Sequence, residues 1–425
     1  ARMKELFANE RRSSIEETEF EGDIEDLIQR EDMVVTVSDS GYIKRVPLST
    51  YRAQNRGGKG RSGMSTKDED FVSQVFIANT HQPMLFFSST GIAYKLKVYK
   101  LPQGTPQARG KALINVLPLD EGETITTVMA LPEDEKSWDD LFVIFATASG
   151  SVRRNKLSDF SKVNVNGKIA MKLDEGDHLV RVRVFEGDQN VFLATRKGKC
   201  VRFPVADVRV FSSRNSTGVR GIRLVVGDEV IAMSGLNHIK VEVAERDDYL
   251  RSINAARRLI TGDYTDRTED KARDEAAAER LKEPLFQEMQ QDEEFILTVT
   301  IDGFGKRSSA YGYRISKRGG KGIDSMDVKR GKGLTEVVST IPVLNTDQLV
   351  MVSDGGQLIR MPVDGISNTG RTSRGVTLFK VADQERVVSV TRFRDVEGTD
   401  ESNDDTVDTV EINIKSIDTE GDEKI

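Results

Sequence analysis

Met33-Val34-Val35-Thr36-Val37-Ser38-Asp39-Ser40-Gly41-Tyr42-Ile43-Lys44-Arg45-Val46 is the stretch whose reading decides the fold. Two short β-type runs flank Ser38-Asp39-Ser40-Gly41, a hairpin signature in which the glycine supplies the turn. The unit recurs. Apolar runs that end in a Gly-bearing turn also occupy residues 83–91, 140–150, 189–198, 294–303 and 347–356, so six units are visible. A further strand, such as Phe71-Val72-Ser73-Gln74-Val75-Phe76 or Val387-Val388-Ser389-Val390, closes each unit. About four short strands per repeat of roughly fifty residues is the pattern of a propeller blade. The expected architecture is all-β, six-bladed and propeller-like, over residues 32–394.

In every unit the residue four places after the anchoring glycine is basic: Arg45, Lys95, Arg154, Arg202, Arg307 and Arg360. Turn formation explains the glycines, but it does not ask for a cation four residues later. Lys44 and Arg153 stand beside two of these positions. A second feature follows, because Lys59-Gly60, Arg109-Gly110, Lys321-Gly322 and Arg374-Gly375 each place a glycine nineteen residues after the anchor. Looser versions occur at Asn166-Gly167-Lys168 and Arg220-Gly221.

The richest loop is Gln54-Asn55-Arg56-Gly57-Gly58-Lys59-Gly60. Three glycines and two cations in seven residues exclude a helix interior and leave a strand little to bury. A nucleotide-binding P-loop needs Gly-Lys-Ser/Thr, whereas Lys59 is followed by Gly60 and Lys321 by Gly322. An Arg-Gly-Gly low-complexity binder would repeat the tripeptide in a disordered tract, whereas here each copy sits once per β-unit. A backbone clamp for phosphodiesters and an unusually basic structural loop both remain open. Tyr313-Arg314-Ile315-Ser316-Lys317-Arg318-Gly319-Gly320-Lys321-Gly322 aligns without gaps with residues 51–60, placing Lys317 opposite Asn55.

The net charge of −7 hides a segregation of charge along the chain. Residues 1–31 carry about −5, residues 245–294 about −6 and residues 395–425 about −10, which leaves about +14 on the remaining body. Such a body points to a polyanion partner, and the acidic appendages to a competitor for it. Aromatic residues are scarce at 6% and are not interleaved with the basic repeats, which disfavours stacking on single strands. Duplex DNA held by its phosphates, largely without sequence specificity, fits best. Cations on successive blades make a curved track. Bending a few tens of base pairs through 40–90° costs on the order of 1–6 kcal/mol, so many contacts are required.

The segment at residues 1–31 reads as a helical linker, and a chain that begins without Met reads as a fragment or a processed product. A helical insertion is expected at about residues 245–294, between the fourth and fifth blades, either as a solvated decoration or as a partner-docking element. Residues 395–425 read as an acidic, mostly disordered tail. The lone Cys200 excludes an internal disulfide and suits a reducing compartment. His81, His178 and His238 have no metal-ligand spacing, so no metal site is expected, and no apolar run reaches the length of a membrane span.

The heptad at 54–60 resembles the gyrase A box, Gln-Arg-Arg-Gly-Gly-Lys-Gly, with Asn55 in place of the first arginine. Glu69-Asp70-Phe71, Ala78-Asn79-Thr80-His81, Lys97-Val98-Tyr99 and Thr217-Gly218-Val219-Arg220-Gly221-Ile222 resemble the same family, and the similarity runs over residues 11–394 outside the insertion. The chain is therefore similar to the C-terminal domains of DNA gyrase A proteins, of the type IIA topoisomerases. That resemblance implies a six-bladed β-pinwheel that wraps duplex DNA and lets gyrase introduce negative supercoils. It implies a DNA-binding set of Gln54, Asn55, Arg56, Gly57, Gly58, Lys59, Gly60, Lys44, Arg45, Lys95, Arg109, Arg153, Arg154, Lys168, Arg202, Arg220, Arg307, Arg318, Lys321, Arg360 and Arg374. The family's catalytic tyrosine follows an arginine, and none of the eight tyrosines here does, so this piece is expected not to cut DNA alone. No cofactor is expected in it, ATP and Mg2+ belonging to the holoenzyme. The implied partners are the gyrase A breakage-reunion domain and gyrase B in an A2B2 assembly, with the isolated domain monomeric and the setting the bacterial cytoplasm and nucleoid. The alternatives are the equivalent domain of the A-type protein of topoisomerase IV, or a propeller used as a protein-interaction platform.

Overall fold

The computed structural model describes residues 25 and 27–394, apart from Asp39, Glu186, Asp383 and residues 51–71, 213–215, 262–267 and 331–332. The heptad and the acidic tail lie outside the described residues, as does nearly all of the head. What is described is a ring of six antiparallel sheets, as the sequence repeat predicts.

In the first blade, Asp32–Ser38 and Tyr42–Pro47 form the hairpin and Val72–Asn79 flanks its first strand. The fourth strand, Lys111–Ala112, comes from the next repeat and pairs with Tyr42–Pro47. The same exchange adds Lys168–Ile169 to the second blade, Val219–Arg220 to the third, Ile323–Asp324 to the fourth and Val376–Thr377 to the fifth. The sixth sheet has three strands among the described residues: Asp347–Ser353, Leu358–Pro362 and Val387–Arg394. In each of the other blades the order is third strand, first strand, second strand, donated strand, with the third toward the axis and the donated strand outermost.

All six anchoring glycines (Gly41, Gly91, Gly150, Gly198, Gly303 and Gly356) adopt φ between 75° and 86°, the region open to glycine. A second turn determinant escaped the sequence reading. A hydroxyl residue precedes each anchor by three: Ser38, Ser88, Thr147, Thr195, Thr300 and Ser353. Its carbonyl accepts the glycine N–H at 3.0–3.1 Å in all six turns. In five of them its hydroxyl also accepts the N–H of the residue after the glycine, as Tyr42 N to Ser38 Oγ at 3.1 Å. The hydroxyl thus closes the turn from inside. At the same place the pairing of the first and third strands shifts register, for example between Phe87 and Ser88, which adds twist where the blades converge.

The core is serial: each main cluster lies between two neighbouring blades. Phe87 packs edge-on against Phe145 and Phe160 across blades two and three, with ring centroids 5.5 and 5.6 Å apart. First strands such as Pro83–Ser88 and Asn190–Thr195 are buried at every residue, because both faces of a blade meet a neighbour. Burying each large apolar side chain contributes about 1.5–3 kcal/mol. Val350 and Val352 form a small separate cluster on the sixth blade.

The insertion consists of α1 (Val243–Thr261), α2 (Thr268–Glu279) and α3 (Pro284–Gln291). The first two fit the predicted helical spacing. The third lies within the same predicted insertion and starts on Pro284, whose fixed φ and missing N–H suit a first turn. The insertion is not merely a solvated decoration. Tyr249 of α1 stacks edge-on against Phe286 of α3 and Tyr311 of the fifth blade, at 5.6 and 5.4 Å. The Tyr311 hydroxyl donates to Met289 O at 3.2 Å. Arg258 reaches Asp274 with two bonds of 2.7 Å, tying α1 to α2. No helix among the described residues is long and apolar enough to cross a membrane.

Candidate nucleic-acid interface

The six phased cations do not form a uniform exposed track. Arg45 donates from Nε to Leu101 O at 2.9 Å and from Nη2 to Tyr99 O at 3.0 Å. Lys95 donates to Ser161 O at 2.7 Å, pairs with Glu135 and lies 4.9 Å from the Trp138 ring centroid. Arg154 stacks 4.0 Å over Phe142. Arg202 is 2% exposed and donates to Ala310 O at 2.8 Å and to Asn237 O; burial lowers its pKa to about 10. Arg307 sits over Phe295 and donates to Asn345 Oδ1. Arg360, on the sixth blade, is exposed.

A physical cause for the phasing is therefore internal to the fold. The segment entering from the next repeat runs along the second strand, and the backbones of Arg45, Arg154, Arg202 and Arg307 each bridge to it in parallel. Four residues after the turn is where that segment crosses, and a long cationic side chain can reach its carbonyls. For Arg45, Lys95 and Arg202 the reading as surface phosphate contacts is corrected: these head groups donate to carbonyls of the following repeat and hold neighbouring blades together, whereas Arg154 and Arg307 are half-buried over Phe142 and Phe295 of their own blades.

One residue earlier, Lys44, Arg153 and Lys306 are 0% exposed. Lys44 donates to Thr105 O at 3.1 Å and to Pro106 O, Arg153 to Ser216 O at 2.7 Å, and Lys306 to Gly370 O at 3.0 Å and to Arg371 O. Lys44 and Arg153 thus also support loops from within, and do not face outward. Sequence reasoning missed Lys306, although its place after Gly303 matches that of Lys44 after Gly41. Burial, then the neighbouring Arg371, pull the Lys306 pKa down to about 7, with Cys200 and Asp327 opposing. The unfolded chain, with its lysine near 10.5, binds the extra proton between those values, so stability should rise as pH climbs from about 7 to 10. Equilibrium unfolding across that window should show a shallower rise for Lys306→Met than for the parent chain.

The outer edge is different. Arg220, Lys321 and Arg374 are exposed there, beside the donated strands, and Arg374 also contacts Asp327 Oδ2 at 2.9 Å. Arg109 is half-buried, its guanidinium 3.7 Å over the Tyr42 ring. Lys168 is half-buried and bonded to Asp159 O at 2.9 Å and Lys162 O at 2.6 Å. Exposed cations not singled out in the sequence join this edge: Lys111, Lys172, Arg223 and Lys380. A signal for three of them was available, since Lys172, Arg223 and Lys380 each stand five residues after a left-handed loop glycine (Gly167, Gly218 and Gly375).

The second copy of the basic loop shows what its glycines do. Gly319 N donates to Gly221 O at 2.6 Å, Arg223 N donates to Gly320 O at 2.8 Å, and Arg318 reaches Arg220 O at 3.1 Å and Asp207 O at 2.9 Å. Gly319 has φ 77°. The loop is a latch onto the preceding blade, and Lys317 and Lys321 project from it exposed. Gln54, Asn55, Arg56, Gly57, Gly58, Lys59 and Gly60 themselves lie outside the described residues.

The six sheets correspond to the segments at which a family model described as "DNA gyrase C-terminal domain, beta-propeller" matches this chain: residues 32–79, 82–132, 142–186, 189–237, 294–334 and 347–394. Among curated proteins, the DNA gyrase A protein of Rickettsia bellii (strain RML369-C) is 50% identical over 405 residues, covering 95% of this chain and 44% of the relative. The DNA gyrase A protein of Escherichia coli (strain K12) is 37% identical over 402 residues, covering 95% of this chain and 39% of the relative. The chain thus spans less than half the length of these relatives. A solved DNA topoisomerase IV C-terminal domain superposes with TM-score 0.65 at 19% identity, over 86% of this chain and 94% of its own. A solved DNA gyrase A C-terminal domain superposes with TM-score 0.56 at 23% identity, over 85% of this chain and all of its own. Those two establish likeness of fold. With six matched segments coinciding with six blades, the chain belongs to the DNA gyrase C-terminal domain β-propeller family.

Proposed function

We propose that this domain wraps duplex DNA around its outer edge and so delivers a chirally curved segment to a gyrase holoenzyme. The observation that carries the reading is the recurrence of exposed cations beside the donated strands of successive blades: Lys111, Lys172, Arg220 with Arg223, Lys321, and Arg374 with Lys380. Each donated strand is outermost in its sheet, so these charges follow the circumference. A duplex bent around it meets one cluster after another, and the many phosphate contacts offset the bending cost. Gln54-Asn55-Arg56-Gly57-Gly58-Lys59-Gly60 supplies the remaining contact in this scheme, and fixes where the wrap begins or closes. In this proposal the domain itself neither cuts DNA nor hydrolyses a nucleotide. The breakage-reunion region of gyrase A and the ATP-using gyrase B carry those steps, in the bacterial cytoplasm. The identity of 37–50% to gyrase A chains favours this over a topoisomerase IV role.

Duplex affinity measured from low to moderate salt should fall steeply, with a log–log slope of about −5 or steeper if six or more phosphates are neutralised. A flat dependence would sink the proposal. In the reassembled enzyme, Arg56→Ala with Lys59→Ala should abolish supercoiling of relaxed plasmid while leaving most duplex binding. Loss of both in equal measure would contradict the division of labour between the heptad and the other blades.

A further inference from the structure

The six third strands surround an axial channel. A cavity of about 450 Å³ takes its lining from every blade, including Gln74, Thr127, Arg181, Ala232, Thr340 and Arg392. A second cavity, of about 420 Å³, shares Gln74, Thr127, Arg181 and Arg392 and continues it. Among the described residues no Asp or Glu lines either cavity. At the other mouth the charges are matched, Arg196 donating to Glu229 at 2.7 Å.

Arg181 and Arg183 lie two apart on Leu179–Phe185, so they leave the same side of the strand about 6–7 Å apart. Both are accessible to solvent, and among the described residues neither has a hydrogen-bond or ion-pair partner. Arg392, from the sixth blade, donates to Asp347 Oδ2 at 3.1 Å. Burial in the channel lowers the pKa of Arg181 and of Arg183; Arg183 lowers that of Arg181 and Arg392 that of Arg183, with Glu294 opposing at Arg183. Three cations thus line one stretch of the channel, with Asp347 paired to Arg392 and Glu294 acting on Arg183. Their mutual repulsion is relieved by an anion, and guanidinium groups match phosphoryl oxygens in pairs.

We propose that the axial channel is a binding site for an oligophosphate, a linear chain of two or three phosphoryl groups held by Arg181, Arg183 and Arg392. The two strand arginines, on long flexible side chains, can each take a different phosphoryl group of one chain. A cavity of this volume excludes a duplex, so the site is separate from the outer edge. Inorganic tripolyphosphate and the triphosphate of a nucleotide share the required chemistry.

Titration calorimetry of the full chain with tripolyphosphate tests this. One site per chain is expected, weakened at least about tenfold in Arg181→Gln with Arg183→Gln, and not displaced by saturating duplex. Ser389→Glu, which places a carboxylate on the channel wall, should weaken binding similarly and guards against a folding failure of the double variant. ATP in place of tripolyphosphate tells the sources apart: comparable or tighter binding points to a nucleotide, and binding of tripolyphosphate alone to the inorganic chain. Equal affinity in all variants, or displacement by duplex, would overturn the proposal. Binding only after removal of residues 395–425 would overturn it too, by making the acidic tail the occupant.

Discussion

Gly303→Ala should cost about 3 kcal/mol or more and release the junction between the fifth and sixth blades. Gly303 has φ 76°, and a Cβ there would stand 1.9 Å from Phe379 O. That carbonyl cannot retreat cheaply, because Leu378 N and Phe379 N both donate to Gly303 O, at 2.9 and 3.0 Å. The donated strand Val376–Thr377 immediately precedes them, so the clash falls on the exchange that joins the blades. Gly41→Ala is the control. It has the same turn and φ 78°, but no described atom lies within 4 Å of its Cβ position, so only backbone strain of about 1 kcal/mol applies. Thermal or denaturant unfolding of the two variants should differ by about 2 kcal/mol; equal losses would show that the donated segment yields without cost.

The second large effect separates cations that look alike in sequence. Arg220→Ala, Lys321→Ala and Arg374→Ala together should flatten the salt dependence of duplex binding by about 3 in slope, close to one phosphate each. Their stability should stay near that of the parent chain, because these side chains are exposed. Arg202→Met should do the reverse. It leaves Ala310 O and Asn237 O without that donor in a buried setting, at a cost of about 3 kcal/mol. The salt slope of the variant that remains folded should be unchanged. A slope change for Arg202→Met without loss of stability would return that residue to the DNA-binding surface.

The repeat shows why two such classes arise from one pattern. A cation four places after each turn glycine is visible in sequence, and a basic stripe suggests a polyanion. Sequence alone does not say that another repeat's backbone occupies the space beside that position. Arg45 and Arg202 direct their donors to the following repeat, whereas Arg360 on the sixth blade is exposed. The cations that remain outside are fixed to the donated strand, and the exchange that places Lys111 on the first blade is a long-range pairing, between Tyr42 and Ala112.

What the sequence by itself determined is local. Ser or Thr, then glycine in the left-handed region, then alternating apolar runs dictate six hairpins, because turn chemistry and side-chain period act over a few residues. Helical spacing likewise marked α1 and α2. What only the tertiary structure decided is which charges face inward, since that depends on which segment packs against each strand. The donated strand, the latch at Gly319 and Gly320, the Lys306 ammonium among carbonyls and the arginines of the axial channel all arise from residues distant in sequence. Burial and pairing are properties of the assembled ring, and the same arginine is a staple or a surface contact according to the neighbour that closes over it.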